Sequence, residues 1–342
     1  MSTQAPARSS RRSSGSITLV DVARLAGVSA ITVSRALNTP DRVSPETLAQ
    51  VRDAVARTGY VPNLLAGGLA SNRSRLVAAL VPTIAGSVFL DTVQALTETL
   101  ADAGYQLMLG QAGYSGAREE ALIDAIIGRR PDGIVLIGLL RSAEGRRRLL
   151  AAGIPVVETW DLTPTPIDML VGFSHESVGA AVADCLHGKG YRRPAVVTAS
   201  DHRASLRCEG FRTRMQALGV PQVPVRVTPA PSTLGNGRTS AAELIAESPR
   251  PDVIYCSSDV LAQGVLTEAH ARGLRVPQDL AVMGFGDLSF AAQLHPALST
   301  VHIDGQAIGQ QAARFIVDRA EGRDAGAPIR DIGFALVERG ST

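Results

Sequence analysis

The sequence predicts a small all-α head joined to a larger α/β body of two doubly wound lobes. Three observations point there. Residues 17 to 60 hold three short helical patterns, residue 76 opens a series of apolar β-branched runs alternating with longer helical patterns, and the charge divides near the same place. At 342 residues the chain exceeds the roughly 250–300 at which a single core stops growing, so more than one domain is expected.

In the head, the first helix starts at Thr18, with Asp21 three residues on in a near capping box. It puts Leu19, Val22, Ala23 and Ala26 on one face and stops at Gly27. The second lies within VSAITVSRALN, capped by Ser29. The third begins at Ser44, with Pro45 in the first helical position and Glu46 in the first turn, and runs through Leu48, Val51 and Val55 to Gly59. Three such small helices bury little, so they must share one compact core.

In the body, RLVAALVP, YQLMLGQ, GIVLIGL, IPVVET, MLVGF, PAVVTA, VIYCSSD, LAVMGF and LSTVHID read as strands, most of them continuously apolar. Continuous apolarity means burial on both faces, hence mainly parallel sheets flanked by helices such as DTVQALTETLADAG and LAQGVLTEAHARG. Nine strands are too many for one small sheet of this kind. Two lobes with a cleft between them follow, with a ligand expected at the carboxyl ends of the strands.

The net charge of +2 hides an asymmetry. Residues 1–75 hold ten Arg against four Asp or Glu, giving +6, while the remaining 24 basic and 28 acidic residues give −4. A basic end on an acidic body marks a nucleic-acid-binding terminus. Lys189 is the one lysine, so arginine richness itself carries no weight. The head supplies the matching geometry: two helices joined by a tight turn at Gly27 make a helix-turn-helix, whose second helix lies in the major groove with its first residues on base edges. Arg35 can present two donors to O6 and N7 of a guanine, and Thr32 and Ser34 suit phosphate oxygens.

Other classes find less support. No apolar run approaches the roughly 18 residues of a membrane span. The first sixteen residues carry Arg8, Arg11 and Arg12 but no apolar segment, so no secretory signal is read there and a cytoplasmic location is expected. Cys185, Cys208 and Cys256 lack metal spacing, and the six histidines show no i, i+4 pair. Neither a nucleotide-binding glycine motif nor a nucleophile elbow is present, GYSGA at 113–117 being the nearest miss. Asp161, Asp259 and Asp287 follow strand-like segments, where they could serve catalysis or accept hydrogen bonds from ligand hydroxyls. No catalytic constellation, metal site or cofactor is expected.

TLVDVARLAGVSAITVSRALN, VSPETLAQVRDAVARTGYVPN and LLAGGLAS together resemble the DNA-binding head and hinge of the lactose-repressor (LacI/GalR) transcription regulators. LVAALVPT, RPDGIVLIG, GIPVVE, VGFSHE, RCEGFRTRM, IYCSSD, VMGFGD and PALSTVHID extend the resemblance through the body, leaving only the tail before about residue 16 outside it. The resemblance implies a tail over 1–15, a head over 16–62, a hinge helix over 63–72 and an effector-binding, dimerising body over 73–342. Within the body, lobe 1 takes about 73–173 and 304–332, and lobe 2 about 174–303 and 333–342.

It further implies that each head of a homodimer binds half of a near-palindromic operator on double-stranded DNA. Thr18 and Ser29 would cap helices near phosphates, Ala30, Ile31 and Arg35 would face bases, and Thr32 and Ser34 would contact the backbone. Family members often carry longer polar side chains where this chain has Ala30 and Ile31, so apolar contact, for instance with a thymine methyl, is expected there. Asn63, Ala66 and Leu69 fall in the hinge, Leu69 as a minor-groove wedge. Gly67 and Gly68 each cost a helix about 1 kcal/mol relative to alanine, so a hinge ordered only on DNA is expected.

The body is similar to the family's effector domain, with the fold of type I periplasmic sugar-binding proteins. Ser87, Phe89, Asp161, Arg207, Ser258, Asp259 and Asp287 match cleft positions. Arg207 could bind a carboxylate bidentately or a pair of sugar hydroxyls, or form a structural ion pair. Gly286 replaces an aspartate of many sugar-binding relatives, and Ser232 stands where some carry an aromatic for a pyranose; both changes argue against a stacked neutral ring. ETWDLTPTPIDMLVGFSHE looks like the branch regulating gluconate use, which implies a sugar-acid effector that releases the operator. A neutral sugar or a purine is the alternative within the family. With no heptad repeat after the last strand, a dimer is expected rather than a tethered tetramer.

Overall fold

The computed structural model describes residues 17–61, 73–84, 87–113, 116–140 and 142–342. The chain forms two compact units, Met1–Ser74 and Arg75–Thr342.

The first unit contains α1 (Leu19–Ala26), α2 (Ala30–Asn38) and α3 (Pro45–Thr58). Thr18 and Asp21 complete the capping box of α1, and Gly27 ends the helix at φ 68°, a left-handed conformation that glycine adopts without a Cβ penalty. Ser29 and Ser44 cap α2 and α3 through the backbone N–H groups of Thr32 and Thr47. Helices of eight and nine residues are marginal alone, isolated helices needing about 12–15. They hold here because Val22, Ala23, Val33, Ala36, Val51 and Ala54 close into one core.

The second unit opens with β1 (Leu76–Val81), α4 (Leu90–Asp102), β2 (Gln106–Gln111), α5 (Gly116–Ile127), β3 (Gly133–Ile137), α6 (Ala143–Ala152), β4 (Val156–Thr159) and β5 (Met169–Gly172). It continues through α7 (His175–Gly188), β6 (Pro194–Ala199), α8 (His202–Ala217), β7 (Val225–Thr228), α9 (Leu234–Ile245), β8 (Val253–Cys256), α10 (Asp259–Ala271) and β9 (Ala281–Met283). β10 (Thr300–His302), α11 (Gly305–Ala320), β11 (Ile329–Asp331) and β12 (Ala335–Val337) complete it.

Lobe 1 is a parallel six-stranded sheet in the order β11-β5-β4-β3-β1-β2, and lobe 2 a parallel four-stranded sheet in the order β7-β6-β8-β9. In both, the order reverses beside the first strand, between β1 and β3 and between β6 and β8, which opens a crevice at the carboxyl ends. The chain crosses between lobes after β5, β10 and β11, and β10 pairs antiparallel with β12 beside the crossings.

All nine apolar runs form strands. β7, β11 and β12 were not expected: each is three or four residues long and largely exposed or half-buried, and only β12 lies in an apolar run, the short FALV at 334–337. The helices that carry the cleft are closely packed. A Cβ on Gly179 of α7 would lie 2.1 Å from the carbonyl oxygen of Arg207 on α8, and one on Gly210 would lie 2.2 Å from that of Glu176.

Candidate functional site

The first unit offers one face of α2 outward. Val33 and Ala36 are buried and Leu37 packs against them, which turns Ser29, Ile31 and Arg35 to the surface. Ile31 is 70% exposed, an apolar side chain left in water. Ala30, Thr32 and Ser34 are half-buried along the edge of this face. The hydroxyls hold local bonds: Ser29 Oγ lies 2.8 Å from Thr32 Oγ1, and Asn38 Nδ2 donates to the carbonyl oxygen of Ser34 at 2.9 Å. Thr18 Oγ1 donates to Asp21 at 2.6 Å, and this bond, first among the causes, holds the Asp21 carboxyl below its usual pKa. Asn63, Ala66 and Leu69 lie outside the described residues.

The second unit has a cavity where both topological switches expect one. Thr83 follows β1, Trp160 follows β4, Ala199 ends β6, Ser257 follows β8 and Phe285 follows β9, and all five line it. Its volume of about 120 Å³ is well above the roughly 10–15 Å³ that one water needs, room for a small ligand. The starts of α7, α8 and α10 contribute lining residues: His175, then Asp201 and Arg203, then Ser258 and Val260. The ends of α7 and α10 carry neutral serine caps and favour an anion, while the Asp201 carboxylate already caps α8 through the Ala204 N–H at 3.1 Å.

Among the residues expected from sequence, Phe89, Arg207 and Ser258 line the cavity. Ser87 opens the short 3-10 turn Ser87–Phe89 that follows β1. Asp161 is buried next to Trp160, with Arg203 and Arg207 close enough to lower its pKa, though burial dominates and raises it. Asp259 and Asp287 do not line the cavity. The Asp259 carboxylate accepts from Thr300 Oγ1 at 2.6 Å and from the Leu288 N–H at 2.8 Å. Asp287 pairs with Arg339 at 2.8 Å and His302 at 3.1 Å. Both fasten the loop after β9. Ser232 lines the cavity on the side of β7.

Sequence reasoning did not single out Trp160, His175 or Arg203, which complete the site. Arg207 is 5% exposed. Its Nη1 donates to His175 Nδ1 at 2.9 Å, its Nη2 donates to the Ser257 carbonyl at 2.9 Å, and the guanidinium carbon sits 3.8 Å from the Phe285 ring centroid. Burial lowers its pKa, opposed in part by Tyr255, Asp201 and Asp161, and the two hydrogen bonds and the ring face offset part of the cost of burying the charge. Two of the five N–H donors of the guanidinium are thereby assigned.

His175 Nε2 lies 2.9 Å from the Trp160 carbonyl, which can only accept, while Arg207 can only donate to Nδ1. The ring is thus neutral with its proton on Nε2. Burial, then the charge of Arg207, hold its pKa well below the usual value. Trp160 itself has φ 61°, packs edge-on between Phe89 and Phe173, and donates from Nε1 to Thr92 Oγ1 at 2.9 Å. Among the described residues no cluster of His, Cys, Asp or Glu could hold a metal, and no helix is long and apolar enough to cross a membrane.

Comparison with known proteins agrees with both units. Residues 18–63 match the profile of bacterial regulatory proteins of the lacI family, and residues 183–342 match a periplasmic binding protein-like domain. The HTH-type transcriptional regulator GntR of Pseudomonas aeruginosa is 39% identical over 333 residues, 97% of each chain. A LacI-family transcriptional regulator from Silicibacter pomeroyi has a TM-score of 0.90 at 33% identity, over 95% of this chain and 99% of that one. The transcription regulator GntR from Chromobacterium violaceum has a TM-score of 0.75 at 34% identity, over 78% of this chain and 98% of that one. With a helix-turn-helix head, a ligand-sized cleft between two doubly wound lobes and these likenesses, the chain belongs to the LacI family of DNA-binding transcriptional regulators and is not an enzyme.

Proposed function

We propose that this chain is a cytoplasmic repressor of sugar-acid metabolism genes, released from a palindromic operator when an open-chain acid of the gluconate type fills the cleft. The observation that carries this reading is the pair of guanidiniums, Arg203 and Arg207, lining one cavity that the serine-capped amino ends of α7 and α10 also reach. A carboxylate satisfies that field, and hydroxyls along the chain find Ser257 and Ser258, with Asp161 behind them. Phe89 packs edge-on against Trp160, and Ser232 offers no stacking face.

Two chains act as a homodimer, each presenting its head (16–62) to one half-site, with the hinge (63–72) meeting the minor groove. Ile31 and Arg35 read bases, with Ala30 beside them, while Thr18, Ser29, Thr32 and Ser34 meet the backbone. Effector closes the lobes of the body (73–342) and disfavours the paired hinges. Coupling of this kind is reciprocal, so operator weakens effector binding by the same factor.

Calorimetric titration of the purified chain with gluconate, 2-ketogluconate, ribose and guanine tests the ligand class. Binding of the acids alone is expected. Binding of ribose or guanine without either acid would replace this reading with a neutral-ligand regulator of the same family.

A further inference from the structure

We propose that Arg203 is a second ligand contact and, at the same time, the bridge that couples filling of the cleft to the setting of the two lobes. The inference rests on the sugar-acid reading for its ligand and on geometry for its bridge. Arg203 and Arg207 stand four residues apart on α8 and so share a face of that helix. Their anchoring differs. Arg207 is held by Ser257 and Phe285, both in lobe 2 with α8, and by His175 at the first crossing.

Arg203 reaches the other lobe. Its Nη1 donates to the Ile137 carbonyl at the end of β3, at 3.3 Å, and its guanidinium carbon lies 4.9 Å from the ring centroid of Phe89. The next residue makes room for it: Gly138 has φ 125°, and a Cβ there would lie 3.3 Å from Arg203 Nη1. The tip of a lobe 2 side chain is thus seated among lobe 1 atoms, at the switch point between β1 and β3.

A distance of 3.3 Å is at the long end for an N–H···O bond, whereas charge-assisted bonds to a carboxylate shorten to about 2.7–2.9 Å and are roughly twice as strong. A carboxylate in the cavity therefore competes for this guanidinium with the Ile137 carbonyl, and the closed, liganded lobes are held through Arg203 and the ligand in place of that long bond. Arg207, whose partners stay on its own side, supplies affinity without that linkage.

The test uses the full chain as wild type, Arg203→Gln and Arg203→Lys, the lysine variant standing in if the glutamine variant does not fold. Without ligand, amide exchange in the peptide spanning 133–140 is expected to rise several-fold in Arg203→Gln, with the peptide spanning 194–199 unchanged. With gluconate as probe, fluorescence of Trp160, the single tryptophan, reads affinity for the free chain and for the operator-bound chain. Affinity for the free chain is expected to fall about tenfold, and the ratio of the two affinities to fall at least fivefold toward one. Unchanged exchange at 133–140, or a ratio equal to wild type, overturns the bridge. If gluconate binds no form of the chain, the sugar-acid reading fails and the exchange measurement still decides the bridge.

Discussion

His175 accepts a hydrogen bond from Arg207 at 2.9 Å, so the one buried histidine in the cleft is a neutral acceptor beside a cation. Its pKa is held well below 6.5 in the fold. A group that must stay neutral contributes stability above its unfolded pKa and loses it as pH falls below about 6.5, because the unfolded chain then binds the proton more readily. The body should lose stability between pH 6.5 and 5 by up to about 1.4 kcal/mol per unit from this group alone. His175→Gln, which does not titrate, should flatten that share of the slope. His175→Ala should cost about 3 kcal/mol at pH 7.5, since it strands a buried guanidinium donor and the Trp160 carbonyl. Thermal unfolding of the three proteins across this range checks both.

Asp259 behaves in the opposite sense. Burial, offset only partly by Thr300 and Leu288, pushes its pKa up from 3.8 to about 6. A carboxyl whose pKa is raised in the fold stabilises most below pH 3.8 and loses that contribution as pH rises through 6, here about 3 kcal/mol in all. In Asp259→Asn the Thr300 hydroxyl can turn to accept from the amide while Leu288 still donates to its oxygen. The unfolding free energy of the variant should gain on wild type by about that amount between pH 4 and 7, and parallel curves would show that the aspartate titrates normally.

Gly179→Ala should separate α7 from α8, because the added methyl would meet the Arg207 carbonyl at 2.1 Å. Overpacking of this kind costs about 1–3 kcal/mol or more. The same shift displaces both cleft arginines, so effector affinity should fall while operator affinity measured without effector holds. Denaturant unfolding and calorimetry read the two effects separately.

Much of this was legible because periodicity marks long buried segments. The caps at Thr18, Ser29 and Ser44 and the nine apolar strands are local features, set by residues a few positions apart. β7, β11 and β12 are too short to stand out: β7 shows only the alternation of Val223, Val225 and Val227, β12 only the run FALV, and β11 no apolar pattern. In the site, adjacency misled: Ser258 and Asp259 are neighbours, yet one step along a helix start turns Ser258 to the cavity and Asp259 to Thr300. Arg203 stood among four arginines and histidines in the polar stretch HRASLRCEGFR, where only the packing of α8 decides which side chains face the cleft.

Arg35 is exposed on the outward face of α2. Arg35→Ala should weaken operator binding by about 1–3 kcal/mol and relax preference at one base pair. Effector affinity should stay at the wild-type value. Fluorescence anisotropy with operator variants reads the loss, and an unchanged operator affinity would remove Arg35 from the reading surface.

The most direct measurement is release of the full chain from its operator, the operator first being selected from random-sequence duplexes. Anisotropy of the labelled duplex is followed while gluconate, glucose or ribose is added at fixed salt. Saturable release by gluconate, with the neutral sugars inert at the same concentrations and Arg207→Gln unresponsive, is the expected result. Release by glucose or ribose alone, or equal release of wild type and Arg207→Gln by gluconate, would contradict an acid-sensing cleft.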